Sequence, residues 1–338
     1  MGTYIIRRFI WMVVVLVAMS IITFMLMHSV PGGPFDRDKK LPPETIKNIN
    51  AKYHLDQPLT TQYLTYMGNI VVPQIVAGTP DELDGSQLSD YLINIPIGSN
   101  STFQWVNFGP SYKSTSRSVN DILRDNLPVS AMLGTLGVLV AILFGIPLGI
   151  IAALNQNKAG DYIATSLAIT GVSFPSLSLG PALILIFGVT LNWVPVSGWG
   201  TPAQAILPAF AIGFGASALI ARLTRASLLE VLTEDYVRTA RAKGLHNRTV
   251  IALHAMKNAM IPVVTILGPL FAGLVTGAFV VETIFSIPGL GRYFVSSIND
   301  RDYPVIMGTT LVFATILVIS NLIVDITYGW LDPRIRYS

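Results

Sequence analysis

The 338-residue chain contains no cysteine, so disulfides, thiolate nucleophiles and cysteine-ligated zinc or iron–sulfur centres are excluded. Its four histidines, His28, His54, His246 and His254, are scattered and lack a metal-ligand spacing such as HExxH. Charge is scarce too. Asp, Glu, Lys and Arg together make up 12% of the residues, about half the share in an ordinary soluble domain. So few ionic side chains cannot cover a soluble protein of this size. Disorder is excluded for the opposite reason, because hydrophobic residues reach 51%. The formal net charge of +3 is too small to point to nucleic acid. A GxxxxGK[ST] phosphate loop is missing from the sequence, so ATP hydrolysis by this chain alone is not expected.

What is present is a series of long apolar runs. A bilayer core takes about 20 apolar residues in helical form. The first such run, 9–30, is entered through Arg7 and Arg8 and is too long for a signal-peptide core. A polar stretch, 31–128, follows with ten acids and eight bases. Five more runs come at 129–154, 163–191, 203–221, 259–281 and 305–324. The composition therefore predicts a polytopic membrane protein with six spans.

Basic residues collect in cytoplasmic loops. Arg7 and Arg8 before the first span predict an internal N-terminus. Residues 222–257 hold seven bases against three acids, the strongest basic excess in the chain. The stretch before the second span and the loop 282–304 are both net acidic. With six spans the C-terminus is also internal, where Arg334 and Arg336 fit. Every informative loop agrees.

The spans are interrupted and rich in small residues. Ser173-Phe174-Pro175, Gly180-Pro181 and Pro208 break the third and fourth spans, which a packed bundle tolerates. Gly134, Gly137, Gly145 and Gly149, with Gly268, Gly273 and Gly277, read as close helix-packing positions. Glu282, Asp325 and His28 lie near span ends, where water is within reach.

Residues 222–257 carry the most information. Thr233 reads as an N-cap, with Glu234 and Asp235 in the first turn of a short helix. Arg241 and Lys243 lie in its last turn, and Gly244 stands where a left-handed residue ends a helix. A second helix starts near Asn247 and runs past His254 toward Pro262. Val237, Ala240 and Gly244 share a small, smooth face suited to another protein's groove. A solvated loop obeying the positive-inside rule is the other reading of the same residues.

The run Glu234-Asp235-Tyr236-Val237-Arg238-Thr239-Ala240-Arg241-Ala242-Lys243-Gly244-Leu245 resembles the cytoplasmic motif of peptide-type ABC-transporter permeases. His254-Ala255-Met256-Lys257-Asn258-Ala259 continues the likeness. In ABC importers generally this is the EAA loop. Here Arg238-Thr239-Ala240 stands in the Glu-Ala-Ala place, with Gly244 at the family spacing. Other blocks are similar in order: Pro31-Gly32-Gly33-Pro34, Leu55-Asp56-Gln57-Pro58-Leu59, Gly109-Pro110-Ser111-Tyr112-Lys113, Pro288-Gly289-Leu290-Gly291-Arg292, Arg301-Asp302-Tyr303-Pro304 and Asp332-Pro333-Arg334-Ile335-Arg336-Tyr337. Residues 72–107 match nothing in that pattern and read as an extracytoplasmic insertion.

The resemblance implies an all-α integral membrane protein of the type I ABC importer fold. An N-terminal helix (1–30) precedes an extracytoplasmic region (31–118), a permease core (119–328) and a cytoplasmic tail (329–338). It implies a B-type permease subunit in a prokaryotic cell membrane, moving oligopeptides or dipeptides. The implied partners are a C-type permease, two ATP-binding subunits and a solute-binding protein. ATP and magnesium would serve the ATPase subunits, with no cofactor, metal or catalytic residue on this chain. Glu234 through Gly244, with His254 and Asn258, are the expected ATPase-coupling residues. Pro288, Gly289, Leu290, Gly291 and Arg292 are expected to face the binding protein. No substrate-lining residue is legible. Nickel chelates, glutathione or oligosaccharides are alternative cargoes, and an ion-coupled secondary transporter is a more distant reading.

Overall fold

The computed structural model describes residues 2–35, 43–80, 82–84, 88–98, 100–114 and 116–331. Arg334, Arg336 and the motif from Asp332 to Tyr337 lie outside the described residues. The chain is mostly helical, and it divides into two units. One comprises residues 1–12, 129–291 and 315 onward; the other comprises 13–128 and 292–314.

Among the described residues, five helices are long and apolar enough to cross a bilayer: Ile6–Ser29, Val119–Leu154, Pro202–Val231, Ile261–Ile284 and Tyr303–Thr327. A sixth apolar stretch is a broken helix pair, Ala159–Gly171 and Ser176–Thr190, bent by 97°. The break falls at Phe174-Pro175, where the proline ring disfavours helix in the residue before it: Phe174 is extended, with ψ 108°. Five of the predicted runs fall on these long helices, and the remaining one, 163–191, falls on the bent pair. The long helices extend beyond the charge-free runs, because helices continue past the apolar core into polar flanks.

The elements are α1 (Gly2–Ser29), α2 (Pro43–Lys52), α3 (Leu59–Val71), β1 (Gln74–Ala77), β2 (Ile93–Ile97) and β3 (Ser101–Trp105). After them come α4 (Val119–Leu154), α5 (Ala159–Ser173) and α6 (Ser176–Leu183), the last continued by a wide turn, Ile184–Thr190. The remainder are α7 (Pro202–Val231), α8 (Asp235–Ala242), α9 (residues 247–259), α10 (Ile261–Gly277), α11 (Phe279–Ile284), α12 (Leu290–Asp300) and α13 (Tyr303–Leu331).

In the first unit, glycines set the helix spacing. A methyl on Gly145 would lie 2.7 Å from the Ser217 carbonyl oxygen, and one on Gly149 would lie 2.6 Å from that of Ala221. The Cα hydrogens of α4 thus rest on the backbone of α7, as small-residue packing in membranes requires. Gly134 meets Val275 in the same way, and Gly268 meets the Ser320 carbonyl. Gly273 has nothing near it, so it takes no part in this packing. Above these seats, Leu133, Leu183, Leu207, Ile212, Val281, Phe285 and Ile287 form one buried apolar cluster.

Of the two acids expected to reach water, Glu282 does not, while Asp325 stays partly exposed. Glu282 is fully buried: its Oε1 accepts the Ser130 hydroxyl at 2.6 Å, and the Leu290 N–H donates to Ser130 Oγ at 2.8 Å. Asp325 pairs with Arg8 at 2.8 Å. A charged group in an apolar setting needs a fixed partner, and sequence position alone does not show one.

In the second unit, Asp302 gathers a loop. Its carboxylate accepts the Ser111 hydroxyl at 2.5 Å and the N–H groups of Tyr112 and Lys113 at 3.1 and 3.3 Å. Two sequence blocks nearly 190 residues apart, 109–113 and 301–304, therefore meet here. Asn120, fully buried, donates to the carbonyls of Asp90 and Val106 at 2.7 and 2.8 Å and ties residues 72–107 to the start of α4. His28 sits between Phe24 and Tyr303, with Nδ1 2.8 Å from the Phe24 carbonyl oxygen. Residues 74–105 form a three-stranded antiparallel sheet, ordered β1-β3-β2, in the otherwise helical chain.

Candidate functional site

The site is the turn-linked helix pair between α7 and α10. α7 ends at Val231, and a single turn leads into α8. The N-cap is Glu234, not Thr233, whose hydroxyl donates back to the Glu230 carbonyl at 2.7 Å. Thr233 closes the preceding helix, while extended backbone at Glu234 opens the next. Asp235 remains in the first turn, where an acid suits the positive helix end.

Gly244 ends the pair's first helix in the left-handed region, with φ +74° and its N–H donating to Arg241. An L residue there costs about 1–2 kcal/mol. His246 then caps α9 by accepting the Arg248 N–H at 3.3 Å. α9 is regular at its ends and wide-turned over Val250–Ala255.

One face of α8 is turned inward. Val237 is 0% exposed and Ala240 4%, packed with Ala153 of α4, Leu228 and Val231 of α7, and Val250, Ala255 and Ala259 of α9. This corrects the expectation that Val237 and Ala240 offer a smooth face to another protein. They seat α8 on its own chain. Asn258 adds a tie near the start of α8, donating to the Tyr236 hydroxyl at 2.7 Å. His254 is half-buried, and its Nδ1 finds no hydrogen-bond partner among the described residues.

The outward face is polar and basic. Glu234, Asp235, Arg238, Thr239, Arg241, Ala242, Lys243 and Gly244 are all exposed, and Leu245 adds one apolar side chain beside them. The Arg238–Asp235 pair at 3.5 Å is solvent-exposed and contributes little to stability. The helix is thus a rigid rod, anchored by two small residues and one hydrogen bond, that displays charged side chains away from its own core.

A nearby connection escaped sequence reading. Arg225, which the charge pattern assigns to a loop, lies inside α7 and grips Asp161 of α5 with two hydrogen bonds of 2.7 Å. Asp161 also accepts the Asn157 N–H at 3.0 Å. This pair borders a cavity of about 630 Å³ between α4, α5 and α7. It links the helix feeding α8 to the bent span. In sequence, Asp161 is merely an acid in a first helical turn.

The second expected site has a different character. Of Pro288, Gly289, Leu290, Gly291 and Arg292, only Pro288 and Arg292 are exposed. The glycines line the seat of Glu282: a methyl on Gly291 would lie 3.0 Å from Oε2, and one on Gly289 would overlap the carboxyl group. Leu290 is fully buried and begins α12, a helix where a loop was expected.

Two family models match the chain. Residues 145–337 match "Binding-protein-dependent transport system inner membrane component", and residues 1–84 match the N-terminal model of the same systems. The dipeptide transport system permease protein DppB of Bacillus subtilis (strain 168) is 44% identical over 336 residues, covering 99% of this chain and 98% of that protein. The oligopeptide transport system permease protein OppB of Escherichia coli (strain K12) is 39% identical over 336 residues, covering 99% of each. Among solved structures, an inward-facing form of the MetNI methionine ABC transporter aligns with a TM-score of 0.52 at 17% identity. It covers 62% of this chain and 96% of that one, a likeness of fold alone. The chain belongs to the family of binding-protein-dependent transport system inner membrane components.

Proposed function

We propose that this chain is the B-type permease subunit of an ATP-driven importer, forming with a C-type permease the pathway for oligopeptides or dipeptides. A solute-binding protein delivers the peptide, and two ATP-binding subunits supply the energy with their own magnesium. The observation that carries the reading is the rod of residues 235–242, anchored inward by Val237 and Ala240 and displaying charged side chains outward. The names of the relatives support the cargo, DppB being called a dipeptide and OppB an oligopeptide permease. The N- and C-termini are assigned to the cytoplasm on the distribution of basic residues, which puts α8 on the side of the ATPases.

Mechanically, closure of the ATP-bound dimer displaces α8. Because α8 packs on Ala153, Leu228 and Val231, the push reaches α4 and α7 directly. Arg225 carries it from α7 to Asp161 on the broken span. Alternating access follows when two packings of the bundle differ by a few kcal/mol and ATP favours one of them. The test is peptide uptake by proteoliposomes holding the complete complex. Uptake that requires ATP and the binding protein supports the reading; ATP-independent flux through this chain alone overturns it.

A further inference from the structure

The sheet of residues 74–105 is built the wrong way round for a solvated module. Side chains alternate between the two faces of a strand. In β3 the inward positions are polar: Thr102 and Gln104 are buried, Thr102 donating to the Gly78 carbonyl at 2.7 Å and Gln104 to Asn94 Oδ1 at 3.0 Å. The opposite face is apolar apart from Ser101. The register sets Ile75 beside Phe103 and Phe103 beside Ile95, with Ile97 one row along and Trp105 paired to Ile93. Ile75 is 69% exposed, Ile95 52%, Ile97 48% and Trp105 39%. A contiguous apolar face of this kind marks an interaction surface.

Three physical features choose the occupant. Among the described residues the face displays no charged side chain, as in permanently associated subunits, whereas surfaces that dock and release are more polar. Residues 72–107 carry Asp81, Glu82, Asp84 and Asp90 and no Lys or Arg, so an anionic lipid surface repels the segment. The segment also follows the first span, and Arg7 and Arg8 before that span assign its far end to the outer side. Building on the importer assignment, we infer that the Ile75–Phe103–Ile95–Ile97–Trp105 face is a permanent interface with the second permease subunit, closed before any binding protein arrives.

The absence of cysteine makes the test clean. Ile95→Cys is introduced, with Ser116→Cys as an exposed control in the same unit, and maleimide labelling is timed in lipid nanodiscs. The expected result is rapid labelling of Ile95→Cys in this chain alone and labelling slower by about tenfold or more once the second permease is present, as burial of an interface demands. Protection that arises only when the binding protein is added overturns the inference in favour of a docking surface. Protection in the chain alone overturns it in favour of lipid or self-association. Rapid labelling in every state also overturns it, because nothing then covers the face. As a second arm, Ile75→Asp with Ile95→Asp is expected to lower recovery of the second permease on affinity purification while leaving this chain folded; undiminished recovery counts against the interface. ATP-driven uptake is measured on the same preparations. If import is intact and the face stays reactive, the interface fails and the importer assignment stands. If the unmodified complex shows no ATP-driven import, the assignment itself fails.

Discussion

Gly289→Ala is the substitution whose effect the geometry determines most closely. The new methyl would overlap the Glu282 carboxyl carbon and lie 2.5 Å from Oε2. The carboxyl has nowhere to go. Ser130 holds Oε1 at 2.6 Å, and Gly291 closes the far side. Overpacking of this kind costs about 1–3 kcal/mol. Glu282→Ala removes the obstacle but leaves the Ser130 hydroxyl without its acceptor, a loss of about 1–3 kcal/mol. The two changes share one volume, so they must not add. The double variant is expected to be more stable than the sum of the singles by about 1 kcal/mol or more. Unfolding of the purified complex, followed by heat or denaturing detergent, gives the cycle. Additive losses would refute the argument that these glycines exist to seat Glu282. Glu282→Gln keeps both the size and the acceptor, and it is expected to leave stability close to wild type.

Further predictions concern coupling and packing. Gly244→Val puts a β-branched residue at φ +74°. The strain of about 1–2 kcal/mol falls on the turn, so the complex should assemble while ATP-driven uptake drops sharply; wild-type uptake would count against the turn's role. Asp161→Asn should reduce uptake by weakening the grip of Arg225, and Asp161→Glu should restore part of it; equal uptake by all three would remove this link from the pathway. Gly149→Leu forces a side chain onto the Ala221 carbonyl and Thr224, so loss of folded complex is expected in size-exclusion profiles, whereas Gly273→Ala, with open space around it, should be silent. Tyr236→Phe removes the hydrogen bond to Asn258 and is expected to cost about 0.5–1.5 kcal/mol in the same unfolding assay.

The membrane helices were legible because lipid imposes a blunt rule: twenty apolar residues and few charges. The rod at residues 235–242 was legible because capping, helix-end charge and a left-handed glycine leave local signatures. What escaped was whatever depends on partners distant in sequence. Val237 and Ala240 were correctly seen as one small face, but a face does not say what it meets. Arg225 looked like one more basic loop residue, since its acid lies 64 positions away. Glu282 looks wet because it lies near a span end, yet Ser130 comes from another helix to receive it. The sheet at residues 74–105 is not legible in sequence because its buried face carries Thr102 and Gln104 while its exposed face is apolar.

The account rests on α8 touching an ATPase subunit with its charged side. Because the chain has no cysteine, Arg238→Cys and Val237→Cys can be compared one residue apart, the first exposed and the second buried. With a bifunctional cross-linker on the assembled complex, Arg238→Cys should join this chain to an ATP-binding subunit, and ATP should change the yield. Val237→Cys, buried on α4, α7 and α9, should not. Cross-linking from neither position, or from Val237→Cys alone, would contradict the account.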